Sequence, residues 1–91
     1  MIKQIQIKVY GHVQGVFFRD TTRKVARKLG LVGCVKNMRD GSVYIKAEGP
    51  EEDLNKLLEF AKVGPKWAHV ERVEHEFIEA QGKFKGFEFG F

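Results

Sequence analysis

LVGCVKNMRDGSVYIKAE, residues 31–48, is the stretch on which the architecture turns. Two apolar runs, LVGCVKNM and SVYIKAE, flank Arg39, Asp40 and Gly41. Asp and Gly both tolerate positive φ, so an Asp-Gly pair between such runs predicts a β-hairpin. On its second arm Val43, Ile45 and Ala47 share one face. A hairpin in mid-chain matters because a helical pattern stands on either side of it.

Upstream, from Asp20, the residues Thr22, Val25, Ala26 and Leu29 recur at helical spacing, and Gly30 supplies a left-handed stop. Arg23, Lys24, Arg27 and Lys28 crowd the opposite side, a destabilising cluster unless acidic residues from elsewhere approach it. Downstream, Gly49 marks a boundary and Pro50 suits the first helical position. Glu51, Glu52 and Asp53 then complement a helix N-terminus, and Leu54, Leu57, Leu58 and Ala61 form an apolar stripe that ends at Gly64–Pro65.

Strands lie outside the two helices. Ile5, Ile7 and Val9 alternate with Gln4, Gln6, Lys8 and Tyr10, the period of a half-buried strand. A second outer strand runs from about Glu71, with Val73, His75 and Phe77 on one side; His75 is expected there as a partly buried, hydrogen-bonded packing residue. After a polar turn at 79–83, Phe87 and Phe89 predict a short final strand. The order βαββαβ, plus a short C-terminal strand, is that of a ferredoxin-like α+β sandwich: an antiparallel sheet with both helices on one face. No linker interrupts it, and residues 1–91 are expected to form one domain.

Composition narrows the function classes. The chain is 43% hydrophobic, with eight phenylalanines, and no apolar run reaches the roughly 20 residues that cross a bilayer. The start, MIKQIQIK, lacks a signal-peptide core, so a cytoplasmic location is expected, with no membrane partner. The lone cysteine, Cys34, has no internal partner and reads as a small buried thiol. His12, His69 and His75 are scattered, so no metal site and no cofactor are expected. A formal charge of +4 suggests some preference for anions without amounting to a nucleic-acid signature.

Residues 11–19, GHVQGVFFR, join the first strand to the first helix. Gly11 and Gly15 allow unusual backbone angles, and N–H groups ahead of a helix can converge on an anion. Val16, Phe17 and Phe18 would brace such a nest, and Arg19 would close it with a planar fork of donors. The plainer reading is a strand-to-helix turn with Arg19 solvated, and spacing alone favours it. The loop is neither GxxxxGK[ST] nor a dinucleotide fingerprint. Asn37 closes the first hairpin arm; its uncharged amide could orient a water beside a phosphate, or it could stabilise its own turn. Asp40 belongs to that turn.

GHVQGVFFR at 11–19 and GLVGCVKNMRDGSVYIKAEG at 30–49 together resemble the signature blocks of the acylphosphatases, with weaker likeness through GPKWAHVERVE and GFEF. The resemblance implies hydrolysis of the carboxyl–phosphate bond of a small-molecule acylphosphate, without metal or cofactor. It implies that Arg19 binds the phosphoryl group, that Gln14, Gly15, Val16, Phe17 and Phe18 form the cradle, and that Asn37 positions the attacking water. Inorganic phosphate, or a similar anion, would occupy the same site. His12 and Cys34 depart from residues frequent in the family, and a family-type N-terminal cysteine for a cross-link is missing, so nothing points to a disulfide-linked dimer; a monomer is expected of a compact domain of this kind. The competing reading is a non-catalytic ferredoxin-like module that binds RNA or a regulatory anionic partner. The tail KGFEFGF faintly resembles an RNA-recognition consensus, but that consensus belongs on the third strand, where only Tyr44 is aromatic.

Overall fold

The computed structural model describes residues 1–90; Phe91, the last residue of the expected domain and of the KGFEFGF tail, lies outside the described residues. Seven elements follow in the order β1 (Ile2–His12), α1 (Phe18–Lys28), β2 (Val32–Asn37), β3 (Val43–Pro50), α2 (Glu51–Val63), β4 (His69–Glu79) and β5 (Phe87–Phe89). The strands form one sheet with spatial order β4-β1-β3-β2-β5. β1, β2, β3 and β4 pair antiparallel, as the hairpin and the two crossovers dictate. β5 departs from the all-antiparallel expectation. It lies parallel to β2, with Phe87 opposite Gly33, so the whole sheet is mixed.

Register explains the core. Ile5 faces Ala47, Ile7 faces Ile45 and Val9 faces Val43 across β1 and β3, while Val35 faces Ile45 across β2 and β3. These positions, spaced by two, form one apolar face, and both helices lie on it. Phe18 and Ala26 of α1 join Leu54, Leu57, Leu58 and Ala61 of α2 in one buried cluster. Fully burying a leucine such as Leu54 or Leu57 contributes about 2 kcal/mol. Gly33 is needed where β2 meets β3: at φ 149° a Cβ there would stand 1.9 Å from the Lys46 carbonyl oxygen.

Several boundaries move from those the sequence suggests. α1 starts two residues before Asp20, β4 starts at His69, and Pro50 ends β3 as the residue before α2. At its end α1 follows the expected pattern, since Gly30 has φ 74° and the Leu31 N–H donates to the Ala26 carbonyl at 2.9 Å, a Schellman closure. The crowded α1 cations find acids. Arg23 and Lys24 pair with Asp20, and Arg27 reaches Glu88 at 2.9 Å. His75 is exposed, not partly buried, on the outermost strand of the sheet; its ring meets Phe77 edge-on at 5.9 Å. Cys34 is only half-buried, since it faces away from the helices beside Lys46 and Glu88. No helix among the described residues is long and apolar enough to cross a membrane.

Gln4 also overturns the simple two-faced reading of β1, because it points away from the helical face yet is fully buried. Its amide donates to Glu48 at 2.7 Å, and the Glu48 carboxylate accepts the Gln81 and Gly82 N–H groups at 2.6 and 3.1 Å. This buried acid therefore ties the segment between β4 and β5 to β3. Burial opposes its ionisation, but the Gln81, Gln4 and Gly82 hydrogen bonds outweigh burial and hold the carboxyl below its ordinary 4.5. A carboxyl depressed in the folded state stabilises the fold above its unfolded pKa, and that contribution fades as pH falls through the folded value. The melting temperature should therefore drop as pH falls below about 4.5. Glu48→Gln should be less stable at neutral pH and flatter across that window. An equally steep acid fall in Glu48→Gln would assign the effect to other carboxylates.

Candidate active site

The end of β1, the start of α1, the end of β2 and β5 converge at one end of the sheet, where β1, β2 and β5 point the same way. Between them lies a cavity of about 270 Å³ lined by Val13, Gly15, Phe17, Phe18, Arg19, Asp20, Asn37 and Phe89. Arg19 and Asn37, which stand in separate sequence blocks, thus share one small recess.

The local chain path creates the recess. Gly15 has φ 74°, and Phe17 adopts φ 65°, ψ 20° immediately before α1. A left-handed conformation costs a residue other than glycine about 1–2 kcal/mol. Two donors of one residue hold Phe17 there: its carbonyl accepts the Thr21 N–H at 3.0 Å and the Thr21 hydroxyl at 2.8 Å. Val16 and Phe18 are buried on either side, so the turn is anchored from below while the Phe17 ring remains 71% exposed. A helix start leaves its first N–H groups without intrahelical acceptors, and this one opens at the cavity.

Of the cradle residues that the resemblance implies, Gly15, Phe17 and Phe18 line the cavity beside Arg19. Val16 points into the core instead. Gln14 also turns its side chain elsewhere, donating from Nε2 to the Met38 carbonyl at 2.8 Å and the Ser42 carbonyl at 2.9 Å. It fastens the loop to the β2–β3 hairpin, and so fixes the distance between the Arg19 and Asn37 segments.

The hairpin turn has its own supports. The Met38 N–H donates to the Ser42 carbonyl at 2.8 Å, and the Gly41 N–H donates to the Met38 carbonyl at 3.1 Å. Asp40 accepts from the Ser42 hydroxyl and N–H and pairs with Lys8 at 3.0 Å. Those Ser42 donors, followed by Lys8, hold the Asp40 carboxyl well below the usual carboxylate range. With the turn held by these groups, the exposed Asn37 amide stands at the cavity wall.

Sequence reasoning missed Val13, Asp20 and Phe89 as cavity residues. Asp20 does not stand alone beside Arg19: Lys24 approaches it at 3.1 Å and Arg23 at 2.9 Å. Lys24 first, then Arg23, lowers its carboxyl pKa. Phe89 carried a signal in its alternation with Phe87, but only the pairing of β5 beside β2 brings it here. Among the described residues no three His, Cys, Asp or Glu side chains group as a metal site would require.

Comparison with known proteins places this arrangement among relatives. The family model described as Acylphosphatase matches residues 5–89. The chain is 41% identical over 87 residues to an acylphosphatase of Caldanaerobacter subterraneus, spanning 96% of this chain and 97% of that one. It is 49% identical over 84 residues to an acylphosphatase of Archaeoglobus fulgidus, spanning 92% and 93% respectively. The crystal structure of acylphosphatase from Bacillus subtilis superposes with a TM-score of 0.93 at 36% identity, covering the whole of both chains.

Proposed function

The chain belongs to the acylphosphatase family and is an acylphosphatase, and on that premise we propose a division of labour among its residues. Arg19 and the amides of residues 14–18 hold the phosphoryl group of an acylphosphate, and Asn37 positions the water that attacks it. The observation that carries this reading is that Arg19 and Asn37 line one cavity, with the loop between strand and helix as its floor.

The chemistry asks for little else. An acylphosphate carries a carboxylate leaving group, so strong acid assistance is unnecessary. Catalysis then rests on alignment and on stabilising charge at the equatorial phosphoryl oxygens. Arg19 offers a planar fork to two of those oxygens. The Asn37 amide can accept from the water and adds no charge that would repel the phosphoryl group. The water oxygen forms a bond to phosphorus, the bond from phosphorus to the acyl oxygen breaks, and its electron pair leaves with the carboxylate. The surplus water proton passes to a phosphoryl oxygen. No step requires a metal, because Arg19 and the backbone donors carry the charge.

Hydrolysis of benzoyl phosphate in 18O-labelled water tests the direction of attack. One labelled oxygen is expected in the inorganic phosphate and none in the benzoate. Label in the benzoate would mean attack on the carbonyl, and Asn37 would have no water in line with phosphorus.

The same reading treats the chain as a monomer of the cytoplasm, one domain over residues 1–91, acting on a small anion without nucleic acid or membrane. RNA binding gains no support from the tail. Phe87 is buried in the core and Phe89 turns to the cavity, so neither offers a stacking platform on the open sheet face.

A further inference from the structure

One cavity wall has no part in the chemistry above. The Phe89 ring lines the recess, is 37% exposed, and lies 5.1 Å from the Arg19 guanidinium carbon and 4.4 Å from that of Arg23. Asp20, next to Arg19 in the chain, is on the same wall. A carboxylate there competes with any anionic ligand for the Arg19 guanidinium. Both Asp20 oxygens are engaged, however, Oδ1 by Arg23 at 2.9 Å and Oδ2 by Lys24 at 3.1 Å. Arg23 thus occupies the competitor and also rests on the ring that Arg19 shares.

We propose that Phe89 is a positioning residue for Arg19, its ring holding the guanidinium in the cavity while Arg23 and Lys24 keep Asp20 away from it. A cation over an aromatic ring is attracted by the π face and gives up no N–H donor. The restraint therefore leaves the guanidinium edge free for phosphoryl oxygens. An aliphatic side chain of similar bulk would fill the same space on β5 without that attraction. The inference rests on the reading of Arg19 as the phosphoryl-binding residue.

Phe89→Leu and Phe89→Tyr, compared with the wild type, test it through two readouts. The first is the NMR resonance of the Arg19 Nε–H, assigned by its disappearance in Arg19→Lys. It should carry a ring-current shift in the wild type and in Phe89→Tyr. In Phe89→Leu it should lose that shift and become more mobile. The second is binding of inorganic phosphate, expected to weaken about fivefold in Phe89→Leu and to be retained in Phe89→Tyr. An Arg19 resonance unchanged in Phe89→Leu overturns the proposal, as does equal weakening of phosphate binding in both variants, which would mark a merely structural role for β5. A wild-type protein that binds no phosphate would refute the ligand role of Arg19, and the resonance would still decide whether Phe89 holds it.

Discussion

Arg19→Ala is expected to lower kcat/KM for benzoyl phosphate by about 10³-fold or more, the scale of losing a principal donor to developing charge. Both constants should suffer, because the guanidinium meets phosphoryl oxygens in the bound substrate and again in the transition state. Inorganic phosphate should lose its competitive inhibition in parallel. Arg19→Lys should recover little, since an ammonium is a point charge and cannot present two parallel donors. The protein should remain folded, as Arg19 is outside the buried cluster. Circular dichroism and a melting curve close to wild type provide that control. A folded Arg19→Ala protein still inhibited by phosphate at the wild-type concentration would remove Arg19 from the binding role.

Asn37→Ala should fail differently. If the amide orients the water, kcat should fall on the order of 10²-fold, the penalty for a reacting atom held out of line. KM and the phosphate inhibition constant should change little, because Asn37 meets the nucleophile and not the phosphoryl group. Asn37→Asp adds the contrast: its carboxylate can still accept from water but repels the substrate, so KM should rise as kcat falls. The turn that follows is held by Met38, Asp40, Gly41 and Ser42, so folding should survive both changes. A folded Asn37→Ala enzyme with wild-type kcat would end the water-positioning role.

The parts of this fold legible in the sequence are those fixed by local rules. Asp40–Gly41 announced the hairpin, Gly30 and Gly64 the helix ends, and Leu54, Leu57, Leu58 and Ala61 the buried stripe of α2. What escaped depends on contacts distant in the chain. The parallel pairing of β5 with β2 has no turn residue to signal it, since β3, α2 and β4 lie between the two strands in the chain. Glu48 looks like an ordinary outward strand residue until the 81–82 backbone closes over it. Phe17 shows the same limit at close range. An aromatic residue gives no hint of positive φ, which sequence signals at Gly15 and not at Phe17.

The site residues were legible in another way. Spacing by itself left Arg19 and Asn37 as an arginine and an asparagine in two turns, and the likeness between whole sequence blocks set them apart. Geometry then adds what neither spacing nor likeness contains. Gln14 reaches across to Met38 and Ser42, so the two segments meet at a fixed separation.

The parallel strand at the end of the chain has a consequence for how the molecule is made. The cavity wall takes residues from the first loop, from the hairpin and from β5. During synthesis the loop and hairpin leave the ribosome well before Phe89 does, and domains fold as units once their sequence has emerged. β5 pairs with a strand laid down long before it, a non-local contact of the kind that slows folding because loop entropy must be lost first. A nascent or C-terminally truncated chain can therefore carry Arg19 and Asn37 while lacking the wall that β5 completes.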